Sequence, residues 1–161
     1  MTCGPGVVGV PPLPSGVPAP PDPDIAEITE NFAFFDDWED RFGYLIDLGK
    51  KLPPMPEALV DEPHRVHGCQ SSVWLHLGAE PGASGEPAVD LLAKSDAHIV
   101  NGLIAVLRGM YQARPLSEVR AIDAEAKLRE LGLAEHLSPT RRNGVNAMVE
   151  RVRKLADAQT G

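Results

Sequence analysis

Cysteine is scarce in this chain: 161 residues contain two, Cys3 and Cys69. Two cysteines so placed cannot build a disulfide framework, and no Cys-x-x-Cys pair of the kind that structural zinc sites use is present. A reducing compartment, by default the cytoplasm, is the expectation. Basic residues are also short, 15 Lys and Arg against 23 Asp and Glu, for a formal net charge of -8. Nucleic-acid binding depends on clustered cations that release counterions from phosphates, so this balance argues against such a partner. Long apolar runs are missing, which excludes a membrane-spanning helix. The N-terminus lacks the charged start and apolar run of a signal peptide and the arginines of a transit peptide.

What is plentiful at the front is proline and glycine. Residues 1–23 alternate Pro, Gly and Val with almost no charge before Asp22. This composition favours extended, unpacked chain, and a disordered extension over 1–23 is expected, with Cys3 incidental to it. Residues 24–161 then suffice for one domain.

From Asp24 onward Ile25, Ile28 and Phe32 recur at helical spacing. A second helix is expected from about Asp37, with Trp38, Phe42, Leu45, Ile46 and Leu48 on its apolar side and Gly49, Lys50 and Lys51 closing it. Pro53, Pro54, Pro56 and Pro63 then forbid a long regular element and leave a loop with at most one helical turn. Beyond it Val73, Leu75 and Leu77 alternate with Trp74 and His76 as in a strand; a turn at 80–85 and a second strand over 87–93 complete a hairpin. Ser95 reads as the N-cap of a helix whose residues Ile99, Val100, Leu103, Ile104, Leu107 and Met110 share a face. Asp96 suits the first turn of that helix, where its charge favours the dipole. Pro115 opens a short helical element, Asp123 opens another that Gly132 stops, and Ser138-Pro139 starts the last helix. Arg141 and Arg142 fall in its first turn, where the dipole disfavours cations by about 0.3–1 kcal/mol each. Either that small cost is tolerated on the surface or one arginine has another partner.

The stretch Val66-His67-Gly68-Cys69-Gln70-Ser71-Ser72-Val73-Trp74 stands apart. Gly68 permits a tight turn just before the sulfur, which places Cys69 at a loop tip rooted in a strand. A free cysteine is commonly a small buried hydrophobe, but the polar neighbours Gln70, Ser71 and Ser72 favour a reactive thiol. A thiol of pKa about 8.5 is only about 3% thiolate at pH 7, so reactivity requires a nearby cation or amide donors; His64, His67 and Arg141 are candidates.

Four blocks occur in order: the helix from Trp38 to Leu52 ending Leu48-Gly49-Lys50-Lys51-Leu52-Pro53, the Cys69 stretch, Ser95-Asp96-Ala97-His98-Ile99-Val100-Asn101-Gly102-Leu103-Ile104, and Leu137-Ser138-Pro139-Thr140-Arg141-Arg142-Asn143-Gly144. Together they resemble the SufE family of cysteine desulfuration proteins, with the related CsdE proteins, over Asp24 to Lys154. The resemblance implies an α+β fold, with a small antiparallel sheet of about three strands flanked by helices as in IscU-like iron–sulfur scaffolds. It implies a sulfur acceptor that takes persulfide sulfur onto Cys69 from a SufS- or CsdA-like cysteine desulfurase, stimulates that enzyme and passes the sulfur to an iron–sulfur scaffold. Such protein-to-protein transfer differs from small-molecule turnover. Pyridoxal phosphate belongs to the donor, so this chain is expected to need no cofactor and no metal. Asp96 and Arg141 match positions associated with function near the loop, and Asp96 could hold either the arginine or the loop. His67, before the glycine, departs from the family pattern and adds a candidate for tuning the thiol. A homodimer is left open.

Other chemistries compete. His64, His67, Cys69 and Asp61 could bind a metal. Holding an iron–sulfur cluster would need ligands from other chains. Cys69 with His136 could form a thiol hydrolase, though no motif supplies an oxyanion hole. A purely regulatory binder needs none of this chemistry.

Overall fold

Asp24 and Asp37 begin the first two helices, each with a carboxylate that accepts the backbone N–H three residues on, Glu27 at 3.0 Å and Asp40 at 2.9 Å. In the computed structural model, which describes residues 17–66 and 72–160, these helices are α1 (Ile25–Phe34) and α2 (Trp38–Lys50). Two 3-10 turns follow, Glu57–Leu59 and Glu62–His64, where the prolines leave room for nothing longer. The hairpin is β1 (Val73–Pro81) and β2 (Pro87–Ser95), antiparallel with Val73 opposite Ser95 and Pro81 opposite Pro87. Helix α3 (His98–Tyr111), a 3-10 segment at Leu116–Ala121, α4 (Ala124–Glu130), α5 (Leu133–His136) and α6 (Pro139–Thr160) complete the chain.

The fold is α+β, as expected, but the sheet among the described residues has two strands rather than about three. On its two edges stand single bridges, Arg65 with Trp74 and Ala88 with Pro115. The neighbouring turns explain the brevity of both: the 3-10 turn Glu62–His64 ends just before one bridge, and the 3-10 segment Leu116–Ala121 begins just after the other. The hairpin's inner face carries Val73, Leu75, Val89, Leu91 and Ala93, all buried against a core to which α3 gives Leu103, Ile104 and Leu107 and α6 gives Val145, Met148, Val149 and Val152. Each fully buried aliphatic side chain contributes about 1.5–3 kcal/mol, so this shared core fixes α3 and α6 against the sheet.

Gly49 plays a role other than the one its position suggests, together with Gly102 of α3. Gly49 does not cap α2, which runs on to Lys50 and is capped by Lys51 at φ −94°. A Cβ on Gly49 would lie 2.7 Å from both Asn101 Cβ and Gly102 N, and one on Gly102 would lie 2.7 Å from the Leu45 carbonyl carbon. The pair therefore lets α2 and α3 cross with backbones nearly touching. Gly132, in contrast, ends α4 as expected, with φ +77°. The short α5 that follows is an element the sequence pattern does not reveal.

Of the expected disordered extension, residues 1–16 lie outside the described residues. The remaining 17–23 run along the domain: Pro18 is buried, and the Ala19 C=O accepts a hydrogen bond from Gln112 Nε2 at 3.1 Å.

Candidate functional site

The Cys69 stretch is held by both its ends. Val66 before it and Val73 after it are 1% and 0% exposed, and the Val66 N–H donates to the Val73 C=O at 2.9 Å. One residue further out, Arg65 and Trp74 form the antiparallel bridge. The returning chain is held a second time at Ser72, whose N–H donates to Asp96 Oδ1 at 3.1 Å while the Asp96 N–H donates to the Ser72 C=O at 3.3 Å. The intervening residues 67–71, which include His67 and Cys69, lie outside the described residues.

Asp96 is itself fixed from the C-terminal side. Strand β2 runs through Ser95, so Ser95 is not the N-cap expected of it; Ala97 occupies that position with no side-chain cap bond. Ser95 is 7% exposed, and Asn101 from the first turns of α3 reaches back to it, its Oδ1 accepting the Ser95 N–H at 2.8 Å and its Nδ2 donating to the Ser95 C=O at 3.0 Å. The Ser95 Oγ accepts the Ala97 N–H at 3.1 Å. Asp96 thus lies before the helix, in the link between strand and helix, and not in the first turn. Its carboxylate bonds the Ser72 backbone, and no hydrogen bond or ion pair joins it to Arg141 among the described residues. Asn101 is the residue that sequence reading overlooks, because its partner is fixed by the strand-to-helix turn; the only sequence signal is an Asn in the first turns after a strand-ending Ser.

Cations gather at the root of the stretch. The guanidinium of Arg65 lies 5.6 Å and the Lys94 ammonium 5.9 Å from the centre of the Trp74 ring, within cation–π range. Arg151 of α6 donates to the Arg65 C=O at 2.8 Å, so the last helix is tied to the start of the stretch. At the other end of α6, Arg141 is half-buried, with its N–H donating to Ser138 Oγ at 3.3 Å. Its guanidinium has no hydrogen-bond or ion-pair partner among the described residues.

Two of the candidate histidines, His64 and His136, have partners of their own. His64 Nδ1 lies 2.6 Å from Asp61 Oδ1, and this hydrogen bond holds the Asp61 carboxyl below its ordinary range. His136 stacks on Trp38 with ring centres 3.7 Å apart, and its Nδ1 lies 2.9 Å from the Gly132 C=O, so it serves the contact between α2 and α5. Among the described residues no group of three or more His, Cys, Asp or Glu side chains is placed to hold a metal ion. Two of the four ligands considered from the sequence, His67 and Cys69, lie outside those residues.

Residues 26–156 match the family described as "SufE: Fe-S metabolism associated domain". The chain belongs to the SufE family. It is 41% identical over 133 residues to a SufE-like protein of Rhizobium meliloti (strain 1021), an alignment covering 83% of this chain and 94% of that one. With a SufE-like protein of Rhizobium etli it shares 42% identity over 132 residues, 81% of this chain and 87% of the relative. Its fold is similar to the solution structure of a hypothetical protein from Thermus thermophilus, with a TM-score of 0.67 and 26% identity over 90% of this chain and 99% of that one. The SufE match runs from α1 into the last turns of α6 and takes in Cys69, Asp96 and Arg141. No helix among the described residues of this SufE protein is long and apolar enough to cross a membrane.

Proposed function

We propose that this SufE protein accepts sulfur on Cys69 from the persulfide of a pyridoxal-phosphate-dependent cysteine desulfurase and hands it on to iron–sulfur cluster assembly. The observation that carries the reading is the double anchoring of a short cysteine-bearing stretch, by Val66 to Val73 and by Ser72 to Asp96, in a chain of a family associated with iron–sulfur metabolism. Anchored ends with a short span between them suit a thiol that must meet a group presented by another protein.

In the reaction, the Cys69 thiolate attacks the terminal sulfur of the donor's cysteine persulfide. The donor's S–S bond breaks, its cysteine leaves as a thiolate, and a new S–S bond joins the transferred sulfur to Cys69. One disulfide-type bond replaces another, so no external oxidant or reductant enters. Arg141, with a guanidinium free of partners among the described residues, stabilises the thiolate in this reading, and His67 adds to its tuning. Asp96 acts as a positioning residue through Ser72.

Incubation with a cysteine desulfurase and [35S]cysteine tests the proposal. Label is expected on the wild-type chain and not on Cys69→Ser, with binding to the desulfurase retained. Equal labelling of the Cys69→Ser chain contradicts it, and binding without any labelling of the wild type assigns the chain a regulatory role instead.

A further inference from the structure

The two edges of the hairpin are treated differently. On β2 the outward backbone groups of Val89, Leu91 and Ser95 are taken: Val89 exchanges hydrogen bonds with Ala113 and Arg114, the Leu91 N–H donates to Gln112 Oε1 at 2.6 Å, the Leu91 C=O accepts from Arg108 Nε at 3.3 Å, and Ser95 is bonded by Asn101. These residues pair with Ala79, Leu77 and Val73 of β1. In an antiparallel ladder both members of such a pair point their N–H and C=O away from each other, so Ala79 and Leu77 face the opposite edge, as the bond from Val66 to Val73 confirms. There, past the bridge at Trp74, the backbone groups of Leu77 and Ala79 have no partner among the described residues.

Alongside this open edge runs a groove of about 370 Å³ lined by His64, Leu75, His76, Leu77, Arg151, Lys154 and Leu155. Its floor is aliphatic, and its rim carries a lysine, an arginine and two histidines, of which His64 is already bonded to Asp61; Lys154 and Arg151 have no carboxylate against them in the lining. Donors and acceptors alternating along an exposed strand are matched by the backbone of another strand, not by a simple anion.

We propose that the open edge of β1 at Leu77 and Ala79 docks an extended, acidic segment of a partner protein, which adds to the sheet as a third strand while its carboxylates meet Lys154 and Arg151. Charge selects this occupant over two others. A second copy laid edge to edge would bring the same cations together, the arrangement by which proteins keep identical edges apart. The chain's own residues 1–16 contain no acidic residue to answer the rim.

The full chain is titrated with a capped octapeptide alternating Glu and Val, with its Lys/Val counterpart and with the Glu/Val peptide N-methylated on alternate amides. Only the unmodified acidic peptide is expected to bind, with amide shifts at Leu77 and Ala79. Two substitutions probe the edge: Ala79→Pro removes an N–H that the fold does not use, and Lys154→Glu reverses the rim. Each is expected to weaken binding about tenfold, the scale of one backbone hydrogen bond or one facing charge. The proposal is overturned if the acidic peptide fails to bind or if its N-methylated or basic counterpart binds equally well. It is also overturned by unchanged affinity in folded Ala79→Pro and Lys154→Glu chains, or by a dimer in sedimentation that Ala79→Pro dissolves.

Discussion

Asp96 shows how a single carboxylate acquires meaning from its partner. Placed in a helix first turn, it would merely favour the dipole; placed in the link after β2, it bonds the Ser72 N–H where the Cys69 stretch rejoins the sheet. Asp96→Ala removes that acceptor, worth about 1 kcal/mol, and sulfur uptake is expected to slow about fivefold. Asp96→Asn keeps an acceptor oxygen and is expected to retain most of the rate; equal loss in both variants would mean that the charge, not the bond, matters. A second carboxylate offers a pH test. The hydrogen bond from His64 holds Asp61 below its ordinary value of 3.8, so the stabilisation it lends is present above that value and is lost as pH falls through the lower, folded one. An NMR titration of the Asp61 carboxyl is expected to show the depressed midpoint in the wild type and a return towards the ordinary value in His64→Leu.

At the scale of the element, the crossing of α2 and α3 depends on two absent side chains. Gly102→Ala would drive a methyl into the Leu45 backbone, which cannot yield as a flexible side chain could, and a loss of about 3 kcal/mol is expected in urea unfolding. Gly43 on the exposed side of α2 has nothing within 4 Å of its would-be Cβ, so Gly43→Ala is expected to stabilise by about 0.5–1 kcal/mol. A similar loss at both glycines would refute the close crossing. Helix starts were legible because their signal is local: Asp24, Asp37, Asp123 and Ser138 each bond an N–H three residues on. Ser95 and Gly49 were not, since a serine closing a strand and a glycine admitting a neighbouring helix look in sequence like caps, and only the partner across space separates the two. Helix α5, four residues long, is too short to show a period. Of the candidate site, Asp96 was legible as a position, with the arginine and the loop left open as its partners, and the family blocks rather than any spacing pointed to it; its bond to Ser72 takes the loop's side.

For the molecule as a whole, the boundary between tail and domain is open to measurement. Removing residues 1–16 is expected to leave the unfolding midpoint unchanged, because eight of the sixteen are proline or glycine, a composition that favours extended over packed chain. Removing 1–23 takes away the Ala19 carbonyl that the buried Gln112 uses and the buried Pro18, and is expected to cost about 1 kcal/mol or more. The most direct test of the sulfur-acceptor reading is mass spectrometry of the full chain after exposure to a cysteine desulfurase and cysteine, followed by peptide mapping. The chain has two cysteines, so the result is discrete. One added sulfur on the peptide containing Cys69 is predicted; sulfur on Cys3 alone, or none on either while the desulfurase turns over, would contradict it.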